Sequence, residues 1–213
     1  MTTSPAGHSP SVVVFDFGGV LIDWNPRHVY RELIPDPGKM EDFLANVTTM
    51  DWHVPQDHGG DPIEATRQLQ AQHPGQEELI AAFYGRFDDM CAHCFPEVAA
   101  LVTRLHAAGT PLFMLSNAPH FLDDWVRGPA RARHPFLGLF RDYVVSGKVG
   151  HSKPNAGIYD LVCKIGRFKP ADAVLVDDVL ANVEGARRFG MAAIHHRSSE
   201  ETAAALRALG FPA

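Results

Sequence analysis

One ten-residue stretch, positions 12 to 21, restricts the possible folds of this chain more than any other. An apolar, mostly β-branched run from Val12 to Phe15 ends at a carboxylate, Asp16, and two glycines follow directly after Phe17. Such a run predicts a fully buried strand, typical of a parallel sheet. Ligands of open α/β sheets bind beyond the carboxyl ends of the strands. Asp16 is therefore a candidate nucleophile or metal ligand, although a single aspartate after a strand more often caps a turn.

Composition narrows the possible classes of function. The chain has 213 residues, 46% of them hydrophobic, and a net charge of −6, which suits one globular domain or a core with an insertion. Because Lys and Arg form no run, we expect no binding to nucleic acid or to anionic membranes. No apolar stretch approaches the roughly 20 residues that span a bilayer. Three cysteines and no signal-peptide pattern predict a cytoplasmic protein without a disulfide framework.

Strand and helix signals alternate along most of the chain. The predicted strands are Val12 to Asp16, Pro111 to Ser116, Tyr143 to Ser146, Ala173 to Asp177 and, more weakly, Met191 to His195. The helices predicted between and after them are Pro96 to Ala108, Pro154 to Ile165, Val179 to Phe189 and Glu200 to Leu209. This alternation predicts an α/β fold with a doubly wound parallel sheet and helices on both faces.

One interval interrupts the alternation. Residues 26–95 contain no clear buried strand, only helix-like segments such as those from Asp61 to Gln72 and from Glu77 to Met90. An interval of this length is far longer than an ordinary loop. We therefore predict an α/β catalytic core formed by residues 11–25 and 96–213, with a helical cap at 26–95. Residues 1–10 are predicted to form a flexible tail.

Polar side chains that could bind a ligand or take part in catalysis also stand at other predicted strand ends and at the start of a helix. Ser116 and Asn117 come after the second strand, where they offer a hydroxyl and an amide to a phosphoryl group. Lys153 stands at the start of a predicted helix, and Asp177 and Asp178 end the fourth strand. Adjacent carboxylates repel each other, and a divalent cation relieves that repulsion most simply. Their oxygen ligands favour Mg²⁺.

This ordered set resembles the haloacid dehalogenase-like (HAD) superfamily of phosphohydrolases over nearly the whole chain. Within it the sequence is most similar to the small sugar-phosphate phosphatases and to the N-terminal phosphatase domain of soluble epoxide hydrolases. The stretches that carry the match lie at 15–20 (FDFGGV), 115–117 (LSN), 152–154 (SKP) and 176–186 (VDDVLANVEGA). The resemblance implies hydrolysis of a phosphate ester with Mg²⁺ as cofactor.

The resemblance assigns roles at the nucleophile and the metal. Asp16 would attack phosphorus and form an aspartyl-phosphate. The carbonyl oxygen of Gly18 and the carboxylates of Asp16 and Asp178 would bind Mg²⁺. Asp177 and Asn182 would support the metal or the neighbouring loop, with Asp177 as a further candidate ligand.

The resemblance also assigns the phosphoryl-binding groups. Ser116 and Lys153 would hold the transferring group, Lys153 would offset the charge of Asp16, and Asn117 would face the substrate. Phosphoryl transfer depends on such positioning and charge neutralisation more than on proton chemistry. We therefore predict a phosphomonoesterase acting on a small metabolite, with a sugar phosphate as the leading class. We expect a monomer or a small homo-oligomer.

One position departs from the family pattern. Phosphatases of this family usually carry a second aspartate two residues after the nucleophile as general acid and base, and here that residue is Gly18. Such a group typically contributes about 10²–10⁴-fold in rate. Three outcomes are open: a good leaving group that needs little protonation, replacement by Asp23 or by a histidine of the cap, or an inactive protein. Cap residues such as Arg27 and His53 are candidates for contact with the leaving group.

Two other functions are alternatives to the predicted phosphatase. Haloacid dehalogenases of the same superfamily also lack the second aspartate, but they need no metal and do not keep the acid pair at 177–178, which favours the phosphatase. A catalytically silent phospho-ligand-binding protein is the third possibility, because of Gly18.

Overall fold

A single parallel sheet organises the residues that the computed structural model describes, positions 9–213. The strand order is β3-β2-β1-β4-β5, and every neighbouring pair is parallel. The strands are β1 (Val12–Phe15), β2 (Leu112–Ser116), β3 (Asp142–Val145), β4 (Ala173–Asp177) and β5 (Ala192–His195). All five predicted strands are present, which confirms the doubly wound α/β fold. Most of the predicted tail, residues 1–8, lies outside the described residues.

Successive side chains along each strand point to opposite faces of the sheet. Val13 and Phe15 belong to a hydrophobic cluster on one face, and Val12 and Val14 belong to a cluster on the other. The first face is covered by α7 (Pro96–Ala107) and α13 (Ser199–Ala208), and the second by α11 (Ala156–Gly166) and α12 (Leu180–Phe189). The remaining short helices after β2 are α8 (Leu122–Arg127), α9 (Ala130–Arg133) and α10 (Ser146–Val149), with 3₁₀ turns at Pro135–Leu139 and Pro170–Asp172.

The strand order brings the predicted site residues to one edge. β1 lies in the middle of the sheet, between β2 and β4, so Asp16, Ser116 and Asp177 come at the carboxyl ends of three adjacent strands. The backbone N–H of Asp16 donates to the carbonyl of Val176 at 2.9 Å, which holds Asp16 in register with β4.

Residues 27–90 form a run of helices, here called the helical segment. It comprises α1 (Arg27–Leu33), α2 (Pro37–Asn46), α3 (Met50–Asp57), α4 (Pro62–Gln72), α5 (Glu77–Gly85) and α6 (Phe87–Met90). These helices share a hydrophobic cluster of their own around Tyr30, Ile80 and Phe83. Burying apolar faces against one another stabilises such helices more than intrinsic propensity does.

Two helices differ from the sequence-based expectation by more than one residue at a boundary. The helix predicted from Glu77 to Met90 is interrupted, because Arg86 leaves the helical conformation after Gly85. The helix predicted to start at Pro154 begins instead at Ala156, so Lys153 belongs to the preceding loop.

The helical segment leaves and rejoins the sheet at neighbouring points. Ile22 forms an antiparallel bridge with Cys94, and the N–H of Asp23 donates to the carbonyl of His93 at 2.9 Å. The segment is therefore fastened at both ends close to the carboxyl end of β1. Among residues 9–213, no helix has the length and apolar character needed to cross a bilayer.

Candidate active site

Lys153 lies at the centre of the group of charged residues at this edge. Its Nζ is 2.8 Å from Oδ1 of Asp16 and 2.7 Å from Oδ2 of Asp177, and all three side chains are buried. Burial alone favours a neutral amine, but the charges of Asp16 and Asp177 outweigh it and hold the pKa of Lys153 above its usual value. Lys153 is thus a cation held beside the carboxylate of Asp16.

Asp177 is held rigidly by hydrogen bonds on both carboxylate oxygens. Oδ2 contacts Lys153, while Oδ1 accepts from the N–H of Val179 at 2.9 Å and from Nδ2 of Asn182 at 3.0 Å. The side chain of Asn182 is itself buried, which fixes this arrangement. These contacts favour a positioning role for Asp177, which orients Lys153.

Three carboxylates offer ligand atoms to one point. Oxygens of Asp16, Asp177 and Asp178 lie within 4.8 Å of one another. Burial raises the pKa of Asp16, with the negative charges of Asp177 and Asp178 acting in the same direction and Lys153 opposing them. One ammonium group does not balance three carboxylates. Oxygen ligands with surplus negative charge fit a divalent cation such as Mg²⁺.

The double glycine brings the backbone close to Asp178. Gly19 has φ +72°, a conformation that glycine adopts without strain. A Cβ at this position would lie 2.3 Å from Oδ2 of Asp178. Because a Cβ here would displace the carboxylate of Asp178, glycine allows that carboxylate and the backbone after Asp16 to lie close together. The predicted Gly18 ligand belongs to this same stretch.

Ser116 is the last residue of β2, and Asn117 follows it directly. Ser116 is 2% exposed, and its hydroxyl has a long contact of 3.4 Å with the carbonyl of Asn117. The amide of Asn117 is fully engaged with the backbone of Lys153: Nδ2 donates to its carbonyl and Oδ1 accepts from its N–H, each at 2.9 Å. Asn117 therefore anchors the loop that carries Lys153, a role that the sequence pattern did not indicate.

Asp23 lies outside this group. Its carboxylate is 2.8 Å from Nε2 of His28, and its side chain is 39% exposed. The carboxylates that converge are those of Asp16, Asp177 and Asp178, without Asp23. The sequence-based suggestion that Asp23 supplies the missing acid gains no support from these contacts.

Sequence reasoning overlooked a buried acid in the helical segment. Asp57 lies one turn after His53 on α3, and both side chains are buried. The spacing of four residues was the available signal, since it puts both side chains on one helix face. Nothing in the sequence showed that this face turns inwards.

Comparisons with known proteins agree with this geometry. The model of the haloacid dehalogenase-like hydrolase family matches residues 10–190. A sesquiterpene phosphatase of Aspergillus oryzae is 29% identical over 198 residues, covering 92% of this chain and 94% of that protein. A D-ribitol-5-phosphate phosphatase of Bacteroides thetaiotaomicron is 23% identical over 189 residues, covering 84% and 87% respectively.

Solved structures share the fold at lower identity. A HAD family enzyme of B. thetaiotaomicron superimposes with a TM-score of 0.70 at 18% identity, covering 94% of this chain and all of that one. The same enzyme was also solved in complex with magnesium and inorganic phosphate. An L-2-haloacid dehalogenase of Xanthobacter autotrophicus gives a TM-score of 0.63 at 19% identity, covering 93% and 83%. The family model covers most of the chain's length, and the charged cluster lies at the carboxyl edge of the sheet. This chain therefore belongs to the haloacid dehalogenase-like hydrolases.

Proposed function

We propose that the protein is a Mg²⁺-dependent phosphomonoester hydrolase that acts on a small phosphorylated metabolite through an aspartyl-phosphate on Asp16. The observation that carries the proposal is the buried contact of Lys153 with Asp16 beside the converging carboxylates of Asp177 and Asp178. A carboxylate nucleophile needs nearby positive charge before a dianionic phosphate can approach it.

The chain's own residues would divide the work as follows. Asp16 would attack phosphorus, and Lys153 and the hydroxyl of Ser116 would hold the phosphoryl oxygens. Asp177 and Asn117 would keep Lys153 in place through the hydrogen bonds described above. A covalent intermediate divides the hydrolysis into two easier steps.

Asp16, Asp178 and the carbonyl of Gly18 would hold the metal. When bound there, Mg²⁺ supplies the positive charge that offsets repulsion between the phosphate and the carboxylates. The close approach of Gly19 to Asp178 supports this assignment, because it brings both parts of the ligand set together.

We propose that the helical segment acts as the cap and selects the leaving group. A cavity of about 390 Å³ within it is lined by Trp24, Leu44 and Phe83, with Arg27 and Glu41 also at its wall. A sugar phosphate remains the leading substrate class, supported by the ribitol-phosphate phosphatase among the relatives. The apolar part of this lining and the sesquiterpene phosphatase among the relatives support an isoprenoid phosphate as the second candidate.

A screen of phosphate release tests this function. The substrates are sugar phosphates, sugar-alcohol phosphates and isoprenyl monophosphates, each with Mg²⁺ and with EDTA, and chloride release from 2-haloacids is measured in parallel. We expect Mg²⁺-dependent release that Asp16→Asn abolishes and that Asp160→Asn, on the exposed face of α11, leaves unchanged. Chloride release without metal would instead establish the dehalogenase alternative. Phosphate binding without turnover would identify a silent binding protein.

A further inference from the structure

A buried polar cluster in the helical segment has no role in the chemistry described so far. It consists of His53, Asp57 and Tyr84. Nδ1 of His53 is 2.9 Å from the hydroxyl of Tyr84, and Nε2 is 3.5 Å from Oδ1 of Asp57. Among the described residues that carboxylate oxygen has no hydrogen-bond partner. A carboxyl group so deeply buried, with neither Lys nor Arg beside it, is uncommon in proteins and calls for a functional explanation.

The cluster lies where the helical segment contacts the loops at the carboxyl edge of the sheet. The ring of His53 stacks on Trp24, in the loop after β1, with centroids 5.2 Å apart and an interplanar angle of 17°. At the other end, the hydroxyl of Ser146, directly after β3, donates to the carbonyl of Asp57. The same hydroxyl accepts from the N–H of Ala118, in the loop after β2. His53 thus contacts the loop after β1, and the backbone of Asp57 contacts Ser146, which in turn is hydrogen-bonded to the loop after β2.

Trp24 also links this cluster to the position that departs from the family pattern. A Cβ on Gly18 would lie 3.8 Å from the Cβ of Trp24, at ordinary contact distance. A side chain at position 18 would therefore begin beside the Cβ of Trp24, the residue whose indole stacks on His53. Asp23, the other acid near β1, is already engaged with His28.

We propose that Asp57, which lies beside His53, is the general acid and base of the reaction in place of the carboxyl group absent at Gly18. This inference rests on the proposed phosphatase function. In the first step a bond forms between Asp16 and phosphorus, the ester P–O bond breaks, and the leaving oxygen takes the proton of the Asp57 carboxyl group. In the second, water attacks phosphorus, the bond to Asp16 breaks, and the water proton returns to the Asp57 carboxylate.

The protonation states of the cluster suit this exchange. Burial raises the pKa of Asp57 to about 7, so both its acid and its base forms are populated near neutral pH. Burial lowers the pKa of His53 to about 4, which keeps the imidazole neutral, so this side chain adds no positive charge that would hold the neighbouring carboxyl group as an anion. Tyr84, the third member, has a pKa raised by its burial and stays protonated as the partner of His53.

Pre-steady-state kinetics of Asp57→Asn with two esters test the proposal. p-Nitrophenyl phosphate has a leaving group that needs no protonation, so its first step should be unchanged and its second slowed roughly 100-fold or more. We expect a burst of nitrophenolate equal to the enzyme concentration, slow turnover afterwards, and one added phosphoryl group in the intact-protein mass spectrum. An alkyl phosphate should show a loss at least as large and no burst. Asp51→Asn, an exposed acid on the same helix, is the matched control and should behave as wild type.

Several outcomes would overturn the proposal. A folded Asp57→Asn protein with wild-type turnover of both esters would do so, and so would accumulation of the phosphoenzyme in Asp23→Asn but not in Asp57→Asn. If the asparagine variant does not fold, Asp57→Ala with added formate replaces it, and turnover restored by formate supports the role while no restoration contradicts it. A wild-type protein without any phosphatase activity would instead refute the proposed function itself.

Discussion

The ammonium group of Lys153 lies 2.8 Å from a carboxylate oxygen of Asp16, and these two buried groups are joined by a third, Asp177. Among the described residues, neither Asp16 nor Asp177 forms an ion pair with any other cationic side chain. The position of Lys153 is itself fixed through its backbone by Asn117. In the part of the chain that the structure describes, the positive charge beside Asp16 therefore comes from this one side chain.

We expect Lys153→Met to abolish activity and to destabilise the fold by about 3–5 kcal/mol, because it leaves two buried carboxylates without a cationic partner. Urea unfolding monitored by circular dichroism gives the free energy. Lys164→Met is the matched control, since Lys164 pairs with Asp160 at an exposed helix position and such pairs contribute about 0–1 kcal/mol. Equal effects of the two substitutions would refute the account of Lys153.

A second prediction concerns the approach of the backbone to Asp178. Gly19→Ala should weaken Mg²⁺ binding strongly, because its Cβ would lie 2.3 Å from Oδ2 of Asp178. Gly109→Ala is the control: it has a similar positive φ of +82°, with nothing within 4 Å of its Cβ, so it suffers only the backbone strain. Isothermal titration with Mg²⁺ on both variants separates strain from the steric effect. Equal Mg²⁺ affinities in the two proteins would contradict the prediction.

The sequence could predict the site residues that stand at strand ends, but not those that depend on distant contacts. Asp16, Ser116 and Asp177 could be placed at one edge from the sequence, because parallel strands align their carboxyl ends and each residue directly follows a buried run. Asn117 and Asp57 could not be assigned in the same way. Asn117 contacts Lys153, 36 residues further along the chain, and Asp57 contacts Ser146, 89 residues further along. No local sequence pattern encodes contacts of this kind.

Metal binding should stabilise the protein against heat. A ligand that binds only the folded state adds RT ln(1 + [L]/Kd), about 2.7 kcal/mol at a hundredfold excess over Kd. We expect Mg²⁺ to raise the melting temperature of the wild-type protein and to leave that of Asp178→Asn nearly unchanged. Scanning calorimetry with Mg²⁺ and with EDTA measures both. An identical rise in the Asp178→Asn protein would place the ion elsewhere.

The last prediction separates the stability role of Asp57 from its proposed catalytic one. Burial raises the pKa of this carboxyl group from its ordinary value of 3.8 to about 7. A group whose pKa is higher in the folded state stabilises most below its unfolded pKa, and that stability is lost as the pH rises through the folded pKa. The wild-type protein should therefore lose stability between about pH 4 and pH 7 at this residue. Asparagine does not ionise, so the free energy of unfolding of Asp57→Asn relative to wild type should increase from pH 5 to pH 8 by on the order of 2–3 kcal/mol.

Comparing the two proteins at each pH cancels the titration of groups that they share, such as Asp16 and His196. Urea unfolding at both pH values measures the difference, and a difference independent of pH would show that Asp57 is ionised at its ordinary pKa. A variant that is more stable at pH 8 yet far less active is the combination expected of a buried acid kept for chemistry, because its burial disfavours the folded state at the pH where its proton is exchanged.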